Sequence, residues 1–105
     1  MLSVVLEFSM FPSDVGESKS EYVSKVIKHI KNSGLKYQMS PMSTVIEVDK
    51  IKTALNLVEE CYEILEQQGC NRVYAVLKFD IRKNCEDRLT GKIKSIEDKI
   101  GKVNT

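Results

Sequence analysis

The chain carries three cysteines and a single histidine in 105 residues, too few and too scattered for a disulfide framework or a zinc site. Cys61, Cys70 and Cys85 form no Cys-x-x-Cys pair, and their odd number leaves at least one thiol unpaired. They read as free thiols in a reducing cytoplasm. Charge of one sign is also missing: 16 basic against 15 acidic residues give a net charge of +1, which offers no footprint for nucleic acid. No run approaches the roughly 18 apolar residues of a membrane span. The apolar stretch Met1 to Phe11 contains Glu7, has no basic region before it and reaches no small-residue cleavage site, so it reads as a strand and not as a leader. With 2 prolines and 5 glycines, no linker, repeat or low-complexity segment divides the chain. Its length suits a single domain, residues 1–105. A phosphate-cradling glycine loop is absent, as is a histidine placed to activate a serine or cysteine.

What is present is a succession of short periodic segments. In Leu2 to Met10, Val4, Leu6, Phe8 and Met10 fall on one face and Ser3, Val5, Glu7 and Ser9 on the other, the period of a strand. Phe11 to Gly16 then reads as a loop. Ser18-Lys19-Ser20-Glu21 has the spacing of a capping box, followed by Tyr22, Val23, Val26, Ile27 and Ile30 at helical intervals and by Gly34 as a C-terminal cap. The basic side of that helix, with His29 on it, reads as a solvated face with no acid beside the histidine. Leu35 to Ser40 and Ser43 to Val48 are predicted strands joined by a tight turn at Pro41-Met42. Asp49 is placed to cap a second helix whose apolar stripe is Ile51, Ala54, Leu55, Val58, Cys61, Tyr62 and Leu65, with Gly69 closing it. Asn71 to Ile81 reads as a long strand, Arg82 to Asp87 as a turn, and Leu89, Ile93, Ile96 and Ile100 as the stripe of a last helix that Gly91 weakens.

Strand, helix, strand, strand, helix, strand is the order of an α+β, ferredoxin-like βαββαβ fold: a four-stranded antiparallel sheet with helices on one face, here with an added C-terminal helix. Right-handed crossovers put the first and third strands in the centre. The all-apolar face of the first strand then meets the helices. Glu7 and Ser9 project from the opposite face, joined there by Glu47, Lys78, Asp80 and Gln38. That face also carries Val5, Val45, Tyr74 and Val76, a patch of the kind a second subunit covers, which predicts two sheets face to face with the carboxylates partly buried between them. A buried carboxylate must find a cation, change protonation or meet a polar ligand. The residues alone leave three readings: a structural Glu–Lys network in an interaction module, a ligand site, and an acid–base pair formed by Glu7 and Glu47.

Several segments resemble a known family. They are Val5-Leu6-Glu7-Phe8-Ser9-Met10-Phe11-Pro12, Ser20-Glu21-Tyr22-Val23, the run from Ser33-Gly34-Leu35 through Tyr37-Gln38-Met39-Ser40-Pro41-Met42-Ser43-Thr44-Val45-Ile46-Glu47, then Gly69-Cys70-Asn71-Arg72-Val73-Tyr74 and Lys78-Phe79-Asp80-Ile81-Arg82. Together they are similar to the small thiamine-binding protein family, once catalogued as a domain of unknown function. The resemblance implies a ferredoxin-like, cytoplasmic homo-oligomer that dimerises through its sheets and often forms tetramers. It also implies binding of thiamine or its hydroxymethylpyrimidine portion without catalysis and without any further cofactor. Ser40 and Ser43 depart from the family's frequent threonine and glycine. An aminopyrimidine edge suits a carboxylate plus a hydroxyl or amide, with apolar cover for its faces. The expected ligand contacts are therefore Glu7, Ser9, Gln38, Met42, Thr44, Glu47, Lys78 and Tyr37. Tyr37 and Thr44 lie on the helix side, so their inclusion requires a pocket at the strand end.

Overall fold

A computed structural model of the chain describes residues 1–16 and 19–105. Four strands, β1 (Leu2–Pro12), β2 (Lys36–Met39), β3 (Thr44–Val48) and β4 (Val73–Lys83), alternate with helices α1 (Ser20–Asn32), α2 (Ile51–Gln67) and α3 (Arg88–Ile100). The strands form one antiparallel sheet in the order β2-β3-β1-β4, which is the expected ferredoxin-like arrangement with β1 and β3 in the centre. Val4, Leu6 and Phe8 of β1, Ile46 and Val48 of β3, Val26 and Ile30 of α1, and Ala54, Leu57, Cys61 and Leu65 of α2 make the buried core between sheet and helices. Burial pushes the Cys61 thiol up to about 12, so it packs as a small neutral side chain.

Several local expectations are revised. β1 continues through Phe11 to Pro12 instead of ending at Met10. Its register with β3 stops at Phe8↔Thr44, whereas that with β4 runs to Pro12↔Val73. The last residues of β1 are thus a sheet edge on the β3 side, where proline's missing N–H costs no ladder bond. β4 likewise runs on to Lys83. The Ser18 of the anticipated capping box lies outside the described residues; α1 begins after Lys19 with no side-chain cap. At its end Gly34, at φ +78°, takes the left-handed conformation expected of it. Asp49 does not cap α2, whose N-cap is Lys50, again without a side-chain bond. The predicted α2 stripe was rotated: Leu57 is buried, while Ile51, Leu55 and Tyr62 are exposed. His29 does meet an acid, because α1 and α2 lie side by side and bring Glu60 Oε1 to 2.8 Å from His29 Nε2.

The third helix occupies the other face of the sheet. Asn84 and Asp87 adopt left-handed backbone (φ 56° and 54°), a conformation that Asn and Asp tolerate, and the chain turns back over β3 and β2. Among the described residues α3 buries none of its own side chains. What it covers is Glu47.

Candidate functional site

On the face opposite α1 and α2, alternation places Gln38, Val45, Glu7 and Lys78 in one row across the sheet, and Lys36, Glu47, Val5 and Asp80 in the next. The two glutamates therefore share a face, as the periodicity requires, but their surroundings differ.

Glu47 is 8% exposed. Its Oε2 accepts from the Ser3 hydroxyl at 2.5 Å, and its Oε1 accepts from the backbone N–H groups of Arg88 (2.9 Å) and Leu89 (3.4 Å). A carboxylate at a helix N-terminus satisfies orphan donors and meets the positive end of the dipole. Burial works to raise its pKa, yet the Ser3 hydroxyl, the two helix amides and the charge of Lys36 outweigh burial and hold it below the usual range. Gln38 Nε2 donates to the Leu89 carbonyl at 3.2 Å, and Arg88 ties the same turn to the sheet, donating to Ser3 Oγ, the Ser3 carbonyl and both the carbonyl and carboxylate of Asp80. Glu47 and Gln38 thus dock α3, and the burial of Glu47 needs no second subunit.

Glu7 lies one row nearer the β2–β3 turn, and that turn is built around one hydroxyl. Ser40 Oγ accepts from the N–H groups of Met42 (3.2 Å) and Ser43 (3.1 Å), while the Ser40 N–H donates to the Ser43 carbonyl at 2.8 Å. The serine–turn geometry throws Met42 outward, 84% exposed, and points the Ser43 hydroxyl at Glu7 Oε2, 2.9 Å away. Lys78 Nζ sits 3.2 Å from Glu7 Oε1. The Ser43 hydroxyl first, then the hydrogen bond and charge of Lys78, lower the Glu7 pKa. Glu7 is ionised at neutral pH, half-open to solvent, and at the rim of a concavity.

Two concavities flank this turn. A cleft of about 240 Å³ on the Glu7 side is lined by Glu7, Ser9, Met42, Ser43, Val76 and Lys78, with Phe8. A larger groove of about 510 Å³ lies on the helix side, between α1 and the turn, where β1 outruns β3. Its walls are mostly apolar, with Met10, Phe11, Val23, Ile27 and Met39 prominent, and Thr44 and Ser20 among its hydroxyls. Phe8, Ser9, Met42 and Ser43 line both. Of the expected site residues, Glu7, Ser9, Met42 and Lys78 meet around the cleft, and Ser9, Met42 and Thr44 around the groove. Gln38 and Glu47 are with α3, and Tyr37 packs against the core on the helix side.

A family model described as thiamine-binding protein matches residues 6–97. The chain belongs to the thiamine-binding protein family. The matched span contains β1 from Leu6 onward, the β2–β3 turn, both flanking concavities and most of α3. Among curated relatives, a UPF0045 protein of Mycobacterium bovis is 35% identical over 96 residues, covering 91% of this chain and 93% of the relative. One from Methanothermobacter thermautotrophicus is 29% identical over 98 residues, covering 92% and 99%. Among solved structures, a hypothetical protein of Methanocaldococcus jannaschii superposes with a TM-score of 0.78 at 34% identity, covering 93% of this chain and 99% of the other. A candidate thiamine biosynthesis/salvage protein of Thermotoga maritima shares the fold, with a TM-score of 0.65 at 22% identity over 86% of this chain and 96% of its own.

Sequence reasoning about this family member missed Ser43 as a site residue, although it marked the residue as a departure from the family pattern. Its hydroxyl is the nearest donor to Glu7. The Ser-x-x-Ser spacing of Ser40 and Ser43 was the available signal, since that spacing closes a hydroxyl-centred turn.

Proposed function

We propose that this protein binds thiamine, or its hydroxymethylpyrimidine portion, without transforming it, at the β2–β3 turn, as a cytoplasmic homo-oligomer that stores, delivers or senses the ligand. The observation that carries the reading is an ionised Glu7 at the lip of a cleft whose remaining walls are hydroxyl and apolar apart from Lys78, its ion-pair partner. Glu7 and the Ser9 and Ser43 hydroxyls supply the acceptor and donor pattern an aminopyrimidine edge needs, and Met42 and Val76 supply cover for its faces. The cleft has the scale of the pyrimidine portion, while the adjoining groove has the volume typical of sites for larger ligands. A ligand displacing Lys78 from Glu7 would bring its own cation, and the thiazolium of thiamine is one. Glu47, Gln38 and Tyr37 belong to this reading as supports of the sheet beneath the site. The open part of the second face, where Tyr74 and Val76 are exposed, is the surface available for packing sheet against sheet.

No acid–base role is assigned: Glu7 and Glu47 are separately engaged, and the family is named for binding. One observation favours a second reading, an interaction module with no small-molecule ligand: Glu7 already has Ser43 and Lys78 as partners. A melting experiment separates the two. Thiamine or hydroxymethylpyrimidine at millimolar concentration raises the melting temperature of the native chain by mass action, Glu7→Gln abolishes that rise, and the ligand is recovered unchanged. Silence of the native chain toward both compounds overturns the ligand reading.

A further inference from the structure

The β2–β3 turn runs from Ser40 to Ser43 and closes directly from the last rung of its ladder, Met39↔Thr44. Ser40 is exposed, yet it has no hydrogen-bonding capacity to spare. A serine side chain offers one O–H and two lone pairs. The O–H of Ser40 donates to the Ser43 carbonyl at 3.1 Å, and its oxygen accepts from the N–H groups of Met42 at 3.2 Å and Ser43 at 3.1 Å. The Ser40 N–H donates to the same Ser43 carbonyl at 2.8 Å.

Both backbone polar groups of Ser43 are therefore taken up by Ser40, and Pro41 fixes a further dihedral inside the turn. What stays free at Ser43 is the rotation of its side chain, whose hydroxyl donates to Glu7 Oε2 at 2.9 Å. That bond reaches β1 just where β3 begins, since the two strands pair only as far as Phe8↔Thr44. Met42 and Ser43 line both the cleft and the groove, so the placement of this turn shapes both.

We infer that Ser40 is the positioning residue of the site: it touches no ligand, and by clamping the Ser43 backbone it holds the Ser43 hydroxyl at hydrogen-bond distance from the carboxylate the ligand must reach. The inference rests on the thiamine-binding reading and deepens it. In the free site the Ser43 hydroxyl occupies Glu7 Oε2, where the ligand's amino group donates once bound. Rotation about a single bond then turns the hydroxyl to the neighbouring ring nitrogen, an acceptor, while the backbone stays still. A donor already fixed in place costs less ordering on binding than one carried by a mobile loop. The same bond acts on Glu7 before any ligand arrives, because a donor to the ionised form favours that form. The Ser43 hydroxyl is the leading cause of the lowered Glu7 pKa, ahead of Lys78. Lys78 is the charged group that faces Glu7 from β4, whereas β3 presents Val45, and Glu47 and Asp80 stand one row away.

Ser40→Ala and Ser43→Ala test this with two readouts. Thiamine affinity, measured by calorimetry, is expected to fall about fivefold to tenfold in each. It returns to the native value in Ser40→Thr, which keeps the hydroxyl, and in the double alanine variant it falls no further than in Ser43→Ala alone, because Ser40 acts through Ser43. The second readout needs no ligand. The Glu7 carboxyl, titrated by carbon NMR, has its midpoint moved upward by either alanine, since the ionised form has lost a donor, and left at the native value by Ser40→Thr. A Glu7 midpoint that Ser40→Ala does not move, losses of affinity that add in the double variant, or a Ser40→Thr as weak as Ser40→Ala overturns the positioning role. A native chain silent toward thiamine whose Glu7 midpoint nevertheless shifts as stated overturns the ligand reading and upholds the placement of Ser43 by Ser40. The amides of β1 report that each variant has kept its sheet, and Ser43→Gly removes the same hydroxyl if Ser43→Ala fails to fold.

Discussion

Glu47 is nearly removed from solvent yet remains ionised, because a hydroxyl and two helix amides compensate for the lost water. Its folded pKa is depressed, so its contribution to stability is fully present above the unfolded value of about 4.3 and is lost as pH falls through the lower folded value. Glu47→Gln removes the charge that holds these donors. It is expected to cost about 1–3 kcal/mol at neutral pH and to flatten the acid limb of stability between roughly pH 5 and pH 3. Urea unfolding at a series of pH values checks this, and an unchanged acid limb would show that Glu47 is not the group responsible. Glu7 presents the contrast. Its pKa is lowered by Ser43 and Lys78, but it stands open to solvent, so its partners can be exchanged for a ligand at little cost to the fold. That the two carboxylates share a face was legible from strand alternation. That one is a helix anchor and the other a solvent-open carboxylate held only by Ser43 and Lys78 was not, because the distinction depends on where the chain goes after β4.

At the scale of elements, α3 shows what periodicity leaves out. Its isoleucine stripe was readable, but its docking rests on polar groups: Arg88 donates to Ser3 and Asp80, and Glu47 receives the first amides. With so little apolar burial, such a helix depends on its first turn. Arg88→Ala is expected to release α3 while leaving the sheet intact. The amides of α3 should lose exchange protection, those of β1 should keep theirs, and the melting temperature should fall by about 4–8 °C for each kcal/mol lost. Unchanged protection in α3 would contradict this docking. Strands and the α1–α2 layer were legible because burial imposes periods of 2 and 3.6 on the sequence. Errors clustered at ends and faces. Phe11-Pro12 read as a loop because a proline inside a central strand is disfavoured, and only the shortness of β3 makes that segment an edge. The α2 stripe slipped because Ile51, Leu55 and Tyr62 are apolar at helical spacing yet face outward; composition cannot say which of two stripes meets the sheet.

Over the whole molecule, the radius of gyration is 15.1 Å and the extents are 46 × 29 × 22 Å, longer than the roughly 13 Å radius of a compact chain of this length. The β1–β4 pair outruns β3, leaving one end of the sheet open between α1 and the β2–β3 turn, while α3 closes the Glu47–Gln38 region of the opposite face. Site and anchor thus lie on neighbouring rows of one sheet, which is why the sequence grouped their residues and only the structure separated them. Titrating thiamine into isotopically labelled protein and following backbone amide resonances tests the central claim most directly. Saturable shifts at Glu7, Ser9, Met42, Ser43 and Val76, with the amides of Arg88 and Leu89 unmoved, are the expected result. No shifts at millimolar thiamine, or shifts confined to α3, would contradict it.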